Sequence, residues 1–133
     1  MFSRALSAPR LEDIEIMARE EFARLPPEFR ALCDDLVIRV EDFASEDVLT
    51  RMRIDDPFDL LGLFEGVGLP FRSHTDVTTM PNMIWLYRRP MLDYWAEHDE
   101  TLGAVVSHVL IHEIGHHFGL SDADMEAIEA QVT

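Results

Sequence analysis

The chain has 133 residues, of which 47% are hydrophobic, and a formal net charge of −15. This length and composition predict one globular domain rather than a disordered chain. The acidic charge argues against nucleic-acid and anionic-membrane partners, because binding either requires Lys and Arg to displace counterions. No apolar run is long enough to span a bilayer or to form a secretory signal near the start. The single cysteine, Cys33, excludes an internal disulfide and is expected to be a buried thiol. We therefore expect a cytoplasmic protein.

The first part of the chain predicts a short tail followed by an amphipathic helix. Residues 1–10 are expected to be an N-terminal tail, and residues 11–133 a single domain. Apolar residues recur every three or four positions over residues 11–25, which is the spacing of one helix face. Pro26 and Pro27 are expected to end this helix.

The next segment combines a strand, a short helix and an irregular region. Apolar and charged residues alternate over residues 36–43, which predicts a strand. Ser45 precedes two acidic residues and indicates a helix start, so a helix is expected over residues 45–52. Residues 54–81 are punctuated by Pro and Gly and are expected to be irregular, apart from a possible strand at residues 60–64.

The last third predicts one strand and three helices. Residues 82–88 are rich in large apolar side chains and predict a strand ended by Pro90. Helices are expected over residues 91–98, 101–118 and 122–130, and Gly119 fits the left-handed position that follows a helix. The whole pattern predicts the α+β class, with a small mixed sheet packed against the long helix at residues 101–118.

The strongest chemical signal is the pattern HExxHxxGxxD, which runs from His112 to Asp122 inside and just after the longest predicted helix. Histidines four positions apart project from one helix face, so His112 and His116 can bind one zinc ion. Glu113, between them, can act as the general base toward a zinc-bound water that attacks a carbonyl. The pattern therefore predicts a zinc hydrolase.

A catalytic zinc needs a third protein ligand, which this helix cannot supply. His108 lies one turn earlier, but it is about 12 Å from His116 along the axis. Gly119 allows the chain to turn back, and Asp122 then follows at a suitable distance to be the third ligand. Two other acidic residues remain as alternatives: Asp124 and Glu126.

The pattern resembles the extended zinc motif of metzincins, with aspartate in place of the third histidine. Residues 109–122 are similar to the small zincin-like metallopeptidase family of bacteria, a minimal relative of the matrix-metalloprotease-like fold, and the likeness extends to residues 60–67 and 84–90. The resemblance implies a minimal zincin-like fold, Zn²⁺ as cofactor and a peptide or protein substrate. It also implies roles for four residues: His112, His116 and Asp122 as zinc ligands, and Glu113 as catalytic base.

The same resemblance implies that the strand at residues 82–88 borders the cleft as an edge strand and pairs with an extended peptide. The chain departs from metzincins in lacking a methionine turn, because Met125 falls within a predicted helix. A non-catalytic binding module with structural or absent metal is therefore the alternative. A metal-dependent ribonuclease is disfavoured by the charge of −15, which is unsuited to holding RNA.

The remaining histidines and tyrosines are not expected to bind the metal. His117 points about 100° away from His116. It is expected to pack in the core or to contact a metal ligand without binding the metal itself. His108 is expected to line the cleft. Two histidines are expected at the surface: His74 and His98. Two tyrosines are expected to pack rather than to donate a hydrogen bond to the substrate: Tyr87 and Tyr94.

Overall fold

The computed structural model describes residues 6–33, 35–66 and 82–132. Over these residues a three-stranded sheet is combined with α-helices, which confirms the α+β class. The strands are β1 (Val37–Glu41), β2 (Gly62–Glu65) and β3 (Met83–Tyr87). The helices are α1 (Leu11–Ala23), α2 (Pro27–Arg30), α3 (Glu46–Arg51), α4 (Arg88–Glu97), α5 (Leu102–His117) and α6 (Asp122–Val132). None of the helices in these ranges is both long and apolar enough to cross a membrane.

The sheet is mixed, and β3 is its central strand. It pairs in parallel with β1 and antiparallel with β2. Successive side chains of a strand point to opposite faces. Accordingly, Ile84 and Leu86 enter the main core, whereas Tyr87 enters a smaller core with Ala44 and Leu60. Both faces of β3 are therefore covered.

This position corrects one expectation. The strand at residues 82–88 was expected to be an edge strand that pairs with a peptide, and this is wrong. The hydrogen-bonding groups on both sides of β3 face neighbouring strands, so no side of it is left for a peptide. In the part of the chain that the structure describes, β2 is instead the outer strand on the side away from β1.

Helix α5 is the centre of the main core. It packs against α1, α4, α6 and β2, and its buried residues include Val106, Leu110 and Ile114, none of which is exposed at all. Thr101 caps its first turn by accepting a hydrogen bond from the Ala104 N–H at 3.1 Å. The predicted small sheet packed against a long helix is thus confirmed.

The chain reverses direction tightly between α5 and α6, at Gly119, as the sequence predicts. Gly119 has a φ of +78°, a conformation that residues with a Cβ rarely adopt. The Leu120 N–H then donates to the Gly115 carbonyl at 2.9 Å. At the start of α6, the Asp124 N–H donates to the Ser121 hydroxyl at 3.1 Å. These contacts fix where α6 returns along α5.

Helix α6 lies very close to α5 at Gly115. A Cβ placed on Gly115 would be 2.5 Å from the Met125 sulfur and 2.9 Å from its Cγ, and Met125 is fully buried. A methionine in such a position cannot swing into solvent. The absence of a side chain at Gly115 therefore sets the distance between the two helices.

Two boundaries differ from the sequence-based expectation, both at prolines. Helix α4 begins at Arg88, so Pro90 lies in its first turn instead of ending the preceding strand. Helix α2 begins at Pro27, which was expected only to end α1. The cause is the same in both cases: N–H groups in a first helical turn have no intrahelical acceptor, so proline costs little there.

Parts of the expected tail and irregular segment lie outside the described residues, namely residues 1–5 and 67–81, which include His74. The end of the tail is attached to the domain, since the Arg88 Nε donates to the Pro9 carbonyl at 2.6 Å. Cys33 is fully buried, as expected.

The packing of α6 on α5 predicts that adding one methyl group at Gly115 changes the stability of the protein. Gly115→Ala is expected to lower the free energy of unfolding by about 1–3 kcal/mol, because the methyl overlaps a buried side chain. Gly103→Ala on the same helix is the control, since the nearest atom to its Cβ would be Glu21 Oε2, at 3.3 Å, the far end of a flexible side chain. Urea denaturation should show this control to be neutral or stabilising, because alanine favours helix. Equal stability of the two variants would contradict the argument.

Candidate functional site

Three residues of the motif line one cleft, of about 330 Å³, between α5 and the beginning of β2. They form its α5 wall: His112, Glu113 and His116. Leu61 and Gly62 form the facing wall. The other lining residues come from α4, α5 and the segment before β2: Asp59, Leu60, Tyr94, Val105, His108 and Val109.

The cleft is narrow because strand and helix meet at a glycine. A Cβ on Gly62 would lie 2.6 Å from Val109 Cγ1 and 3.1 Å from the Trp85 carbonyl oxygen. The second contact is with backbone, which cannot rotate away. Glycine at this position therefore allows β2 to approach the motif helix closely.

The rings of the two motif histidines lie near one another on the α5 wall of the cleft. The ring centroids of His112 and His116 are 5.8 Å apart and their planes are inclined at 77°. Two imidazoles that share a tetrahedral zinc at bonds of about 2.0–2.1 Å have centroids about 5 Å apart. The observed separation is slightly larger than this value. His112 is half-buried and His116 is exposed, so the pair lies at the mouth of the cleft.

Glu113 is held where its carboxylate is poorly solvated. Burial raises the pKa of Glu113 above its usual value, and the nearby His116 only partly opposes this effect. A carboxyl group with a raised pKa exchanges protons closer to neutral pH, which is the property of a general acid or base. The structure thus brings together His112, Glu113 and His116, as the sequence predicts.

Asp122 is the first residue of α6 and is exposed. Within the described residues, His112, His116 and Asp122 are not a group whose ligand atoms lie within 4.8 Å of one another. Its role as third ligand remains a prediction. Of the two alternatives, Asp124 accepts a hydrogen bond from the Ser121 N–H at 3.2 Å and Glu126 is exposed on α6.

A residue that the sequence reasoning missed contacts the motif instead. Glu129, on α6, has one carboxylate oxygen 3.0 Å from His108 Nδ1 and the other 2.5 Å from His112 Nε2. Burial acts to raise the pKa of Glu129, but hydrogen bonds to these two histidines and their charge outweigh it and hold the pKa below its usual value. The sequence did contain a signal: Glu129 follows the buried Met125 by four residues, so both lie on the α6 face that meets α5.

The other histidines and tyrosines lie largely as expected. The ring of His117 packs 4.4 Å from Phe64, and burial lowers its pKa. His98 is exposed and stacks on Tyr94 at 3.8 Å. Tyr87 is buried away from solvent, which together with Glu65 and Glu41 raises its pKa to about 12. His108 lines the cleft, as predicted.

Comparison with known proteins agrees with this geometry. Residues 33–132 match the model of a family described as zincin-like metallopeptidases. The matched range runs from the residues before β1 to the last residue of α6 and includes the whole motif. No curated protein matches the chain. Since the family model covers most of the sequence, the chain belongs to the zincin-like metallopeptidase family.

Proposed function

We propose that the protein is a zinc-dependent peptidase, in which His112, His116 and Asp122 hold the metal and Glu113 is the general base. One observation carries the proposal: a single cleft is lined by His112, Glu113 and His116 and faces the beginning of β2. Membership of a metallopeptidase family supports the same reaction class.

The donor groups suit zinc, which takes imidazole nitrogen and carboxylate oxygen in three-ligand catalytic sites. When bound, zinc supplies a Lewis acid that acidifies water and polarises a carbonyl group. His112 and His116 line the same cleft, with ring centroids 5.8 Å apart. Asp122 is exposed at the start of α6, so its side chain can rotate toward the metal without leaving a packed position.

Glu113 provides the proton transfer. Its poorly solvated carboxylate takes the proton of the attacking water and then delivers it to the amide nitrogen that leaves. The raised pKa of Glu113 favours both steps, because a base with a pKa nearer the working pH also serves as a better acid afterwards. The apolar lining at Leu61 and Val109 limits competing water in the cleft.

The substrate is an extended peptide that lies beside β2. This strand is on the outer side of the sheet in the described part of the chain, and its first residue, Gly62, lines the cleft. A peptide there would pair with backbone groups of an outer strand, which is a common mode of peptide recognition. The net charge of −15 favours basic or neutral peptides over acidic ones.

Removing the base tests the mechanism. Glu113→Gln is expected to lower kcat/KM for zinc-dependent peptide cleavage by roughly 10²–10⁴-fold, the usual contribution of a general base. Zinc content should stay the same, because Glu113 is not a ligand. A library of fluorogenic peptides and elemental analysis measure the two quantities, and Glu20→Gln, an exposed change of equal charge on α1, is the control.

The outcome separates the two functions under consideration. Zinc-dependent cleavage that survives Glu113→Gln unchanged contradicts the mechanism. Zinc-loaded wild-type protein that cleaves no peptide in the library favours the non-catalytic binding module.

The same substitution is expected to stabilise the metal-free protein. Burial raises the pKa of Glu113 in the folded chain, so its ionised form destabilises the fold at pH values above the unfolded pKa. This penalty disappears as the pH falls below the unfolded pKa and Glu113 is protonated in both states. The melting temperature of Glu113→Gln should therefore exceed that of wild type by on the order of a few degrees at neutral pH. Thermal melts from pH 7.5 downward should show the difference shrinking, and a constant difference would refute its electrostatic origin.

A further inference from the structure

We propose that His108, His112 and Glu129 form a second metal site, for a zinc-type divalent cation. It shares His112 with the proposed catalytic ligands His112, His116 and Asp122, which we call the peptidase set. The site does not depend on the peptidase function. It lies one helical turn nearer the beginning of α5 than the His112 and His116 pair, and its third ligand comes from α6.

The three side chains already converge on one point. Their ligand atoms all lie within 4.8 Å of one another, and each oxygen of the Glu129 carboxylate faces a different histidine. The contacts are 3.0 Å to His108 and 2.5 Å to His112. Ligand atoms around a tetrahedral zinc are about 3.4 Å apart. Each of the two Glu129 contacts therefore has to lengthen by less than about 1 Å to reach this separation.

The donor set is appropriate for a transition metal. Two imidazoles and one glutamate, with a fourth position left for water, is an established ligand set for zinc. Histidines at positions i and i+4 of a helix present their rings on one face, and the rings of His108 and His112 are 4.1 Å apart. Glu129 is positioned by the packing of Met125 against Gly115, so the third ligand is held by the core and not by a loop.

A second cleft connects the proposed site to solvent. It has a volume of about 410 Å³, lies between α1, α5 and α6, and is lined in part by His108 and Glu129. Glu21 and Glu100 also line it, so its carboxylates attract cations. The one basic residue in the lining, Arg24, is paired with Glu21 at 3.3 Å. His108 lines both clefts and thus lies between them.

The shared histidine makes the two metal sets competitors. An imidazole nitrogen has a single lone pair and can bind one metal. The Nε2 of His112 already faces Glu129. A cation bound between His108 and Glu129 uses that nitrogen and withdraws it from the peptidase set.

A variant without the peptidase set tests the proposal directly. His116→Gln removes one of the two motif histidines from an exposed position. We expect metal-free His116→Gln to bind about one Zn²⁺ per chain, measured by competition with a chromophoric chelator. Adding Glu129→Gln or His108→Gln should weaken this binding at least roughly tenfold, since loss of even an outer-shell partner costs 10–100-fold. Adding Glu20→Gln instead is the control of matched charge, and circular dichroism melts verify that each variant folds.

Two results would overturn the proposal. One is a folded His116→Gln protein that binds no zinc. The other is equal zinc affinity with Glu129→Gln and with Glu20→Gln in that background. Neither result affects the proposed peptidase, which is judged by peptide cleavage and by Glu113→Gln in the protein that retains His116. Conversely, if the wild-type protein cleaves no peptide, the second site is still tested by the zinc affinity of His116→Gln.

Discussion

The burial of α5 is the constraint on which both candidate metal sites depend. Nine of its sixteen residues are buried, and it contacts α1, α4, α6 and β2. Only a narrow face is left for polar side chains. Residues spaced by four positions stay on one side of a helix, and His108, His112 and His116 follow that spacing. Packing therefore determines that these histidines face the clefts, and the apolar residues between them are as necessary to the site as the ligands.

The return of α6 along α5 is the second consequence of this packing. Gly119 reverses the chain through its positive φ, and Gly115 lets Met125 approach the helix backbone. Once Met125 is fixed, Glu129 is fixed as well, because it lies one turn further on the same face of α6. The contact that closes the core thus also brings a carboxylate to His112. The packing of Met125 on Gly115 therefore contributes to the core and also sets the position of Glu129.

The sequence predicted what depends on local patterns. Helix α5 was expected at residues 101–118 and occupies Leu102–His117, because its apolar pattern is long, Thr101 caps it and Gly119 ends it. The position of β3 was misjudged although the signal was present: four consecutive apolar residues, Ile84 to Tyr87, are typical of a strand covered on both faces. Glu129 could not be found from motif spacing alone. Its contact with His112 spans 17 residues and exists only when α6 packs on α5.

The direction of α6 relative to α5 explains how one histidine can belong to two metal sets. Met125 meets Gly115, and Glu129 meets residues 108 and 112, so the two helices run antiparallel. Asp122 and Glu129 are about 10 Å apart along α6, at 1.5 Å per residue, and cannot bind the same ion while the helix is intact. Asp122 therefore lies toward the His116 end of the histidine row, and Glu129 lies toward the His108 end. His112 lies between these two ends, which is why the two proposed metal sites share it.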